Sequence, residues 1–154
     1  MLTFLRTNSR HSDFVGLVNL LDSYLAEVDG DDTAFYSQHN KIDGLNHCIV
    51  AYKNLIPVGC GALKEIDGSV FDASVMEIKR MFTAEQARGK GVATQVIEQL
   101  EIWAGELGSE RCILETGKRQ PNAIALYLKS GYQIIENYEP YVGVENSVCF
   151  EKRL

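Results

Sequence analysis

Residues 75–107, VMEIKRMFTAEQARGKGVATQVIEQLEIWAGEL, change their apolar period halfway, and this change constrains the fold more than any other feature of the chain. At first Val75, Met76, Ile78, Met81 and Phe82 are apolar, with Glu77, Lys79 and Arg80 interleaved, which reads as a strand. Later Val92, Val96, Leu100, Trp103 and Leu107 recur every three to four residues, the period of one helical face. Between strand and helix stands Arg88-Gly89-Lys90-Gly91-Val92-Ala93. Two glycines and a small alanine let a backbone approach a ligand closely. The first N–H groups of a helix have no partner within it, and the helix dipole favours an anion there. A strand, a glycine turn and a helix start therefore predict a phosphate cradle.

The spacing excludes two common cradles. A Walker loop needs Ser or Thr after its lysine, and Lys90 is followed by Gly91. A dinucleotide fingerprint needs a third glycine three residues after Gly91, where Thr94 stands. Arg/Gln-x-x-Gly-x-Gly/Ala does fit, filled by Arg88, Gly91 and Ala93. This segment resembles the coenzyme A pyrophosphate loop of the GNAT superfamily of N-acetyltransferases.

The remaining elements follow in order. Residues 2–6 read as a strand. Ser12 and Asp13 are expected to cap a helix carrying Phe14, Leu17, Val18, Leu21, Leu25 and Val28 and ending near Asp29-Gly30. Asp29, Asp31 and Asp32 crowd together there, as a solvated loop and cap or as an acidic rim for a cationic substrate. Residues 34–40 suggest a short helix. Residues 46–52 and 56–66 read as strands joined at Lys53-Asn54, with Gly59 and Gly61 signalling a bulge or a close approach. Asp67-Gly68 is a turn signal leading into the strand of Glu77, which completes an antiparallel meander. Gly108 suits a left-handed helix end. The strand at 111–116 arrives through a helical crossover and should lie parallel to that of Glu77. A helix over 122–129, a strand at 132–135, an aromatic loop at 137–143 and a strand at 147–152 closing the sheet complete the chain.

A second motif strengthens the resemblance. Residues 122–132, NAIALYLKSGY, are similar in looser form to a GNAT signature, Asn-x-x-Ala-x-x-Leu-Tyr-x-x-x-Gly-Phe/Tyr. Residues 77–82 and 114–117 likewise resemble that family's fourth and fifth strands. The resemblance runs from about Ile56 to the C-terminus, and covers the N-terminal third in general layout only. It implies a single domain over residues 1–154 with a three-layer α/β (α+β) fold. Its central sheet would be mixed and mostly antiparallel, with splayed parallel strands 4 and 5 and helices on both faces.

The resemblance also implies acetyl-CoA as cosubstrate and direct transfer to an amine. On that reading the free backbone of Met81, Phe82 and Thr83 receives the pantetheine arm. Residues Arg88, Gly89, Lys90, Gly91, Val92, Ala93 and Thr94 hold the pyrophosphate, with further cofactor contacts from Asn122, Ala125, Tyr127 and Lys129. The acceptor ammonium must lose a proton and the leaving thiolate must gain or be stabilised by one. Glu77 is the best-placed carboxylate for the first task and Tyr127 carries a phenol for the second. Each has a plainer reading: Glu77 as a solvent-facing strand residue, Tyr127 as a core aromatic, Asn122 as a helix cap. Arg80 suits either a substrate carboxylate or a structural ion pair. His11, His39 and His47 have no recognisable partners and read as surface or packing residues.

At 154 residues the chain is long enough to bury a real core. A net charge of -6 argues against broad nucleic-acid binding and is compatible with a cationic acceptor. Cys48, Cys60, Cys112 and Cys149 are scattered in apolar stretches with no metal-ligand spacing, which predicts buried reduced thiols and no metal. No apolar run approaches the roughly 20 residues of a membrane span, and the N-terminus lacks a signal-peptide core. A cytoplasmic enzyme is expected, with acetyl-CoA and an amine acceptor as partners, a homodimer as an open option, and neither nucleic acid nor membrane. Three functions fit: acetylation of a small amine, acetylation of a protein N-terminus or lysine, and cofactor sensing without catalysis.

Overall fold

In the computed structural model, residues 1–66 and 74–154 are described. The expected turn at Asp67-Gly68 lies outside them. The strands are β1 (Leu2–Thr7), β2 (His47–Lys53), β3 (Ile56–Glu65), β4 (Val75–Thr83), β5 (Arg111–Gly117), β6 (Gln133–Ile135) and β7 (Ser147–Arg153). The helices are α1 (Ser12–Asp29), α2 (Thr33–His39), α3 (Val92–Glu106) and α4 (Pro121–Lys129). Among the described residues the strands form one sheet in the order β1-β2-β3-β4-β5-β7-β6. The β4–β5 pair is parallel and the other neighbours are antiparallel. Among those residues no helix is long and apolar enough to cross a membrane.

Two apolar layers sandwich the sheet. On one face, Val92, Val96, Ile97, Leu100 and Ala104 of α3 and Tyr127 of α4 pack with Ile49, Leu63, Ile78 and Leu114. On the other, Phe14, Leu17 and Val18 of α1 pack with Cys48, Val50, Cys60 and Ala62. The glycines of β3 set how near α3 comes. A Cβ on Gly59 would stand 2.6 Å from Val92 Cγ1, and one on Gly61 would stand 2.6 Å from the Met81 sulfur and 2.7 Å from Leu100 Cδ1. Only glycine permits this approach, which fixes the start of α3 beside the end of β4.

Four local expectations are corrected. The cap of α1 is His11, whose Nδ1 accepts the backbone N–H of Asp13; Ser12 is already helical. Leu107 leaves the α3 stripe, because Gly108 at φ +89° ends the helix there and leaves Leu107 exposed. Gln120, not Asn122, precedes α4, with Pro121 in its first turn where no N–H is needed. The last strand does not close the sheet. β7 inserts between β5 and β6, pairing seven residues with β5 and three with β6, so the shorter β6 forms the edge.

Candidate active site

β4 and β5 pair only through Val75–Arg111, Met76–Cys112 and Glu77–Ile113. Beyond Glu77 the two strands have no mutual register, although β4 continues to Thr83 and β5 to Gly117. They splay, and the β5-facing edge of β4 loses its strand partner at Met81, Phe82 and Thr83. A bulge on the other edge shapes the same place. Ala62 pairs with Lys79 and Cys60 with Phe82, so Gly61 opposes both Arg80 and Met81, and Arg80 takes φ +58°. The extra residue breaks the alternation of the strand. Lys79 and Arg80, though adjacent, both bond toward the helical face of α1 and α2, while Ile78 and Met81 pack with α3.

The cradle forms at the end of β4. Gly89 and Gly91 adopt φ +76° and +80°, and Gly91 precedes α3 without a side-chain cap. Among the described residues, the N–H groups of residues 89–94 have no backbone acceptor; the first bonded amide of the helix is that of Gln95, to Gly91. Ideal Cβ atoms on Gly89 and Gly91 meet nothing closer than 3.9 Å, so the space in front of the loop is open. Unpaired N–H donors around open space at a helix start suit a diphosphate. Arg88 is anchored there, its Nε donating to the Thr83 carbonyl at 3.2 Å and its guanidinium lying over Tyr24 and Phe82.

Splay and cradle open into one cavity of about 540 Å³. Its donor side is walled by Met81, Phe82, Thr83, Arg88 and the start of α3, and its far side by Tyr36, Glu77, Glu115 and Tyr141. Glu77 is buried, which removes the solvent-facing alternative. Tyr138 donates to its Oε2 at 2.7 Å, and the Lys79 ammonium lies 3.7 Å from its Oε1. Lys79 also donates to the His39 carbonyl at 2.9 Å and to the Tyr141 hydroxyl at 3.3 Å. Burial pushes Lys79 below the usual lysine range, opposed by the charge of Glu77. Glu115 is pushed up to about 7 by burial, opposed by a hydrogen bond from Ser147 and by Lys79. Burial likewise raises Asp29 at the end of α1.

Tyr127 of α4 is buried against Tyr132 and Phe150 and lines the cavity. Burial, and secondarily the charge of Glu115, raise its phenol well above the ordinary value. The phenol is thus protonated at neutral pH and can donate. Core packing and access to the cavity coexist in this residue. The buried thiols differ. Cys48, Cys60 and Cys112 are pushed up to about 12 and Cys149 to about 11, chiefly by burial, so none is a ready nucleophile.

A family model described as the acetyltransferase (GNAT) family matches residues 14–132. The chain belongs to this family. It is 30% identical over 160 aligned positions, spanning 99% of this chain and 98% of the other, to an IAA acetyltransferase of Azospirillum brasilense. Among solved structures it is similar to a Klebsiella pneumoniae protein described as an acyl-CoA N-acyltransferase, at 26% identity and a TM-score of 0.80 over 100% of this chain and 98% of that one. A GNAT acetyltransferase from Elizabethkingia anophelis with acetyl-CoA bound shares the fold, with a TM-score of 0.68 at 16% identity over 99% and 98% of the chains. The fold expected from the resemblance is the fold observed, and this GNAT chain is an acetyltransferase of a family that uses acetyl-CoA.

Most of the residues singled out in this GNAT sequence converge. Glu77, Met81, Phe82, Thr83, Arg88, Gly89, Gly91, Val92, Ala93, Thr94, Asn122 and Tyr127 all line the cavity. Three do not. Ala125 and Lys129 lie on the exposed side of α4, and Ala123 and Leu126 line the cavity instead. Lys90 points its ammonium toward the Gln86 carbonyl at 3.5 Å and borders a separate groove beside Met1 and Ile56. Arg80 is committed to an ion pair with Asp22, and its Nε is sealed from solvent, so it is not exposed to a substrate carboxylate.

Sequence reasoning missed Glu115, Tyr138, Tyr141 and Ser147, whereas His39 and His47 are packing residues as expected. His39 stacks edge-on with Phe35 and Tyr141 while its carbonyl holds Lys79. His47 packs on Trp103. A glutamate directly after the apolar Cys112-Ile113-Leu114 of β5 was the available signal for Glu115, since a strand covered on both faces rarely carries an acid without a partner.

Proposed function

We propose that the protein transfers the acetyl group of acetyl-CoA to a primary amine of a small molecule, by direct attack while both are bound. The supporting observation is that the unpaired edge of β4, the amide cradle of residues 89–94 and the Tyr127 phenol all line one cavity whose far end carries carboxylates. The diphosphate of the donor would occupy the cradle, and the amides of its pantetheine arm would bond the free edge at Met81–Thr83 as an added strand. An N–H of that edge would polarise the thioester carbonyl and hold the oxyanion. A carboxylate at the far end takes the ammonium's first proton; Glu77 and Glu115 both stand there. The free amine attacks the carbonyl carbon, a C–N bond forms, and the C–S bond breaks. The nitrogen's second proton replaces the one that Tyr127 gives to the departing sulfur.

A small acceptor is favoured by the walls of the far end. The end of α1, α2 and the aromatic loop contribute Leu25, Asp29, Tyr36 and Tyr141 around it. The test is a panel of small amines, N-terminal peptides and lysine peptides assayed for CoA release with a thiol reagent. Release with small amines supports the proposal. Release with peptides alone favours a protein acetyltransferase, and no acceptor-dependent release favours a sensor.

A further inference from the structure

The two carboxylates at the far end of the cavity are bonded differently. Both oxygens of Glu77 face protein partners, Tyr138 and Lys79. Glu115 is bonded through Oε2 alone, to Ser147 Oγ at 2.7 Å. Among the described residues its Oε1 has no partner, and Glu115 lines the cavity. Behind Oε2 runs a directed chain. Ser147 spends its single hydrogen on Glu115, so the contact of 2.9 Å between Ser147 and the Tyr36 hydroxyl requires Tyr36 to donate. Asn146 Nδ2 in turn donates to the Tyr36 oxygen at 3.2 Å. Gly117 makes room for that amide, since a Cβ there would stand 2.8 Å from Asn146 Nδ2. Every link points its hydrogen toward Glu115, which fixes the carboxylate without using its open oxygen.

Resting on the acetyl-transfer reading, we propose that Glu115, through Oε1, takes the proton of the acceptor's ammonium, and that Asn146, Tyr36 and Ser147 are its positioning residues. Glu77 then serves to neutralise Lys79 and to hold the aromatic loop through Tyr138. A general base needs a lone pair within hydrogen-bond reach of the proton it removes, which Glu115 offers and Glu77 has committed. The proton moves from the acceptor nitrogen to Oε1 and passes to solvent after turnover. The nitrogen lone pair it leaves behind forms the bond to the acetyl carbon.

The surroundings suit a base that works near neutral pH. Burial raises Glu115, and the charges of Glu77 on β4 and Asp29 on α1 add to this, while Ser147 of β7 and Lys79 of β4 oppose it. The phenols that sense its charge, Tyr36 of α2, Tyr127 of α4 and Tyr141 of the aromatic loop, are all raised and stay protonated. So does the Cys149 thiol of β7, at about 11.

The experiment measures kcat against pH at saturating acetyl-CoA and saturating amine, using an amine that the wild type acetylates. The wild type should lose rate below about pH 7. Glu115→Gln should lower kcat by roughly 10²–10⁴-fold and abolish that limb. Ser147→Ala should keep much of the rate but move the limb to higher pH, because a bond stabilising the carboxylate is gone. A direct titration accompanies this: protein labelled with 13C at the glutamate carboxyls should show one resonance with a midpoint near pH 7, absent from Glu115→Gln. CoA release that survives Glu115→Gln with its limb intact overturns the inference and leaves acetyl transfer standing. A resonance near 7 that persists in Glu115→Gln, or is missing from the wild type, also overturns it. If the wild type releases no CoA with any amine, the transfer reading fails and the inference falls with it.

Discussion

The Tyr138 hydroxyl donates to Glu77 Oε2 at 2.7 Å, tying an aromatic loop to a buried carboxylate 61 positions earlier in the chain. On its other side Glu77 faces the Lys79 ammonium. Neither side chain of that ion pair is exposed above 8%. Removing one member of a buried pair leaves the other uncompensated, which typically costs several kcal/mol. Glu77→Gln should therefore destabilise the protein by roughly 3 kcal/mol. Tyr138→Phe, which removes one hydrogen bond to a charged group, should cost about 1–3 kcal/mol. Urea denaturation at pH 7 measures both. A neutral effect of Glu77→Gln would mean that the pair does not organise the site.

Glu115 should behave in the opposite way. Its pKa is raised from 4.5 in the unfolded chain to about 7 in the fold, so the native state binds the extra proton. Stability then falls as pH rises from about 4.5 to 7, and the penalty is fully present above 7. Glu115→Gln should be more stable than wild type at pH 8, by up to roughly 3 kcal/mol, and should lose that advantage by pH 4. Denaturation curves at the two pH values test this. A variant that gains function-free stability in this way fits a residue retained for chemistry.

Acetyl-CoA should raise the melting temperature by mass action. Gly91→Glu should abolish the shift, because a carboxylate would stand before the open amides and the residue is held at φ +80°, which only glycine adopts freely. A wild-type shift in the variant would place the diphosphate elsewhere.

Gly59→Ala should weaken both the fold and the cradle. The new methyl would meet Val92 Cγ1 at 2.6 Å, and Val92 is β-branched and stiff in a helix. Overpacking of this kind costs about 1–3 kcal/mol. Because Val92 opens α3, its displacement should also raise the Kd for acetyl-CoA, measured by calorimetry. Gly105→Ala, on α3 where an added Cβ meets nothing within 4 Å, is the control.

Tyr127→Phe removes one hydroxyl and little volume. It should leave acetyl-CoA affinity unchanged and lower kcat by roughly 10²–10⁴-fold if the phenol is the acid. Rapid mixing with a thiol reagent measures the rate. An unchanged kcat would mean that the thiolate departs unassisted or takes its proton from water.

The local elements were legible because their causes are local. The period change in residues 75–107 marks β4 and α3, and Gly89 and Gly91 mark the turn whose positive φ angles bring the amides forward. The parallel pairing of β4 with β5 follows from the helical crossover between them. The two signatures together pointed to the GNAT family without coordinates. Helix ends were less legible: His11 caps α1 through a ring nitrogen that competes with the more familiar Ser and Asp beside it.

The acceptor end depended on tertiary structure, because its partners are far apart in sequence. No local pattern links Tyr36 to Ser147, Tyr138 to Glu77 or Lys79 to Tyr141. The bulge that turns Lys79 and Arg80 to one face depends on pairing with β3, and the insertion of β7 beside β5 is what brings Ser147 to Glu115. Composition and spacing could name the carboxylates. Which of them is held by two partners and which keeps an open oxygen is a matter of burial and hydrogen bonding, and these exist only once the sheet has assembled.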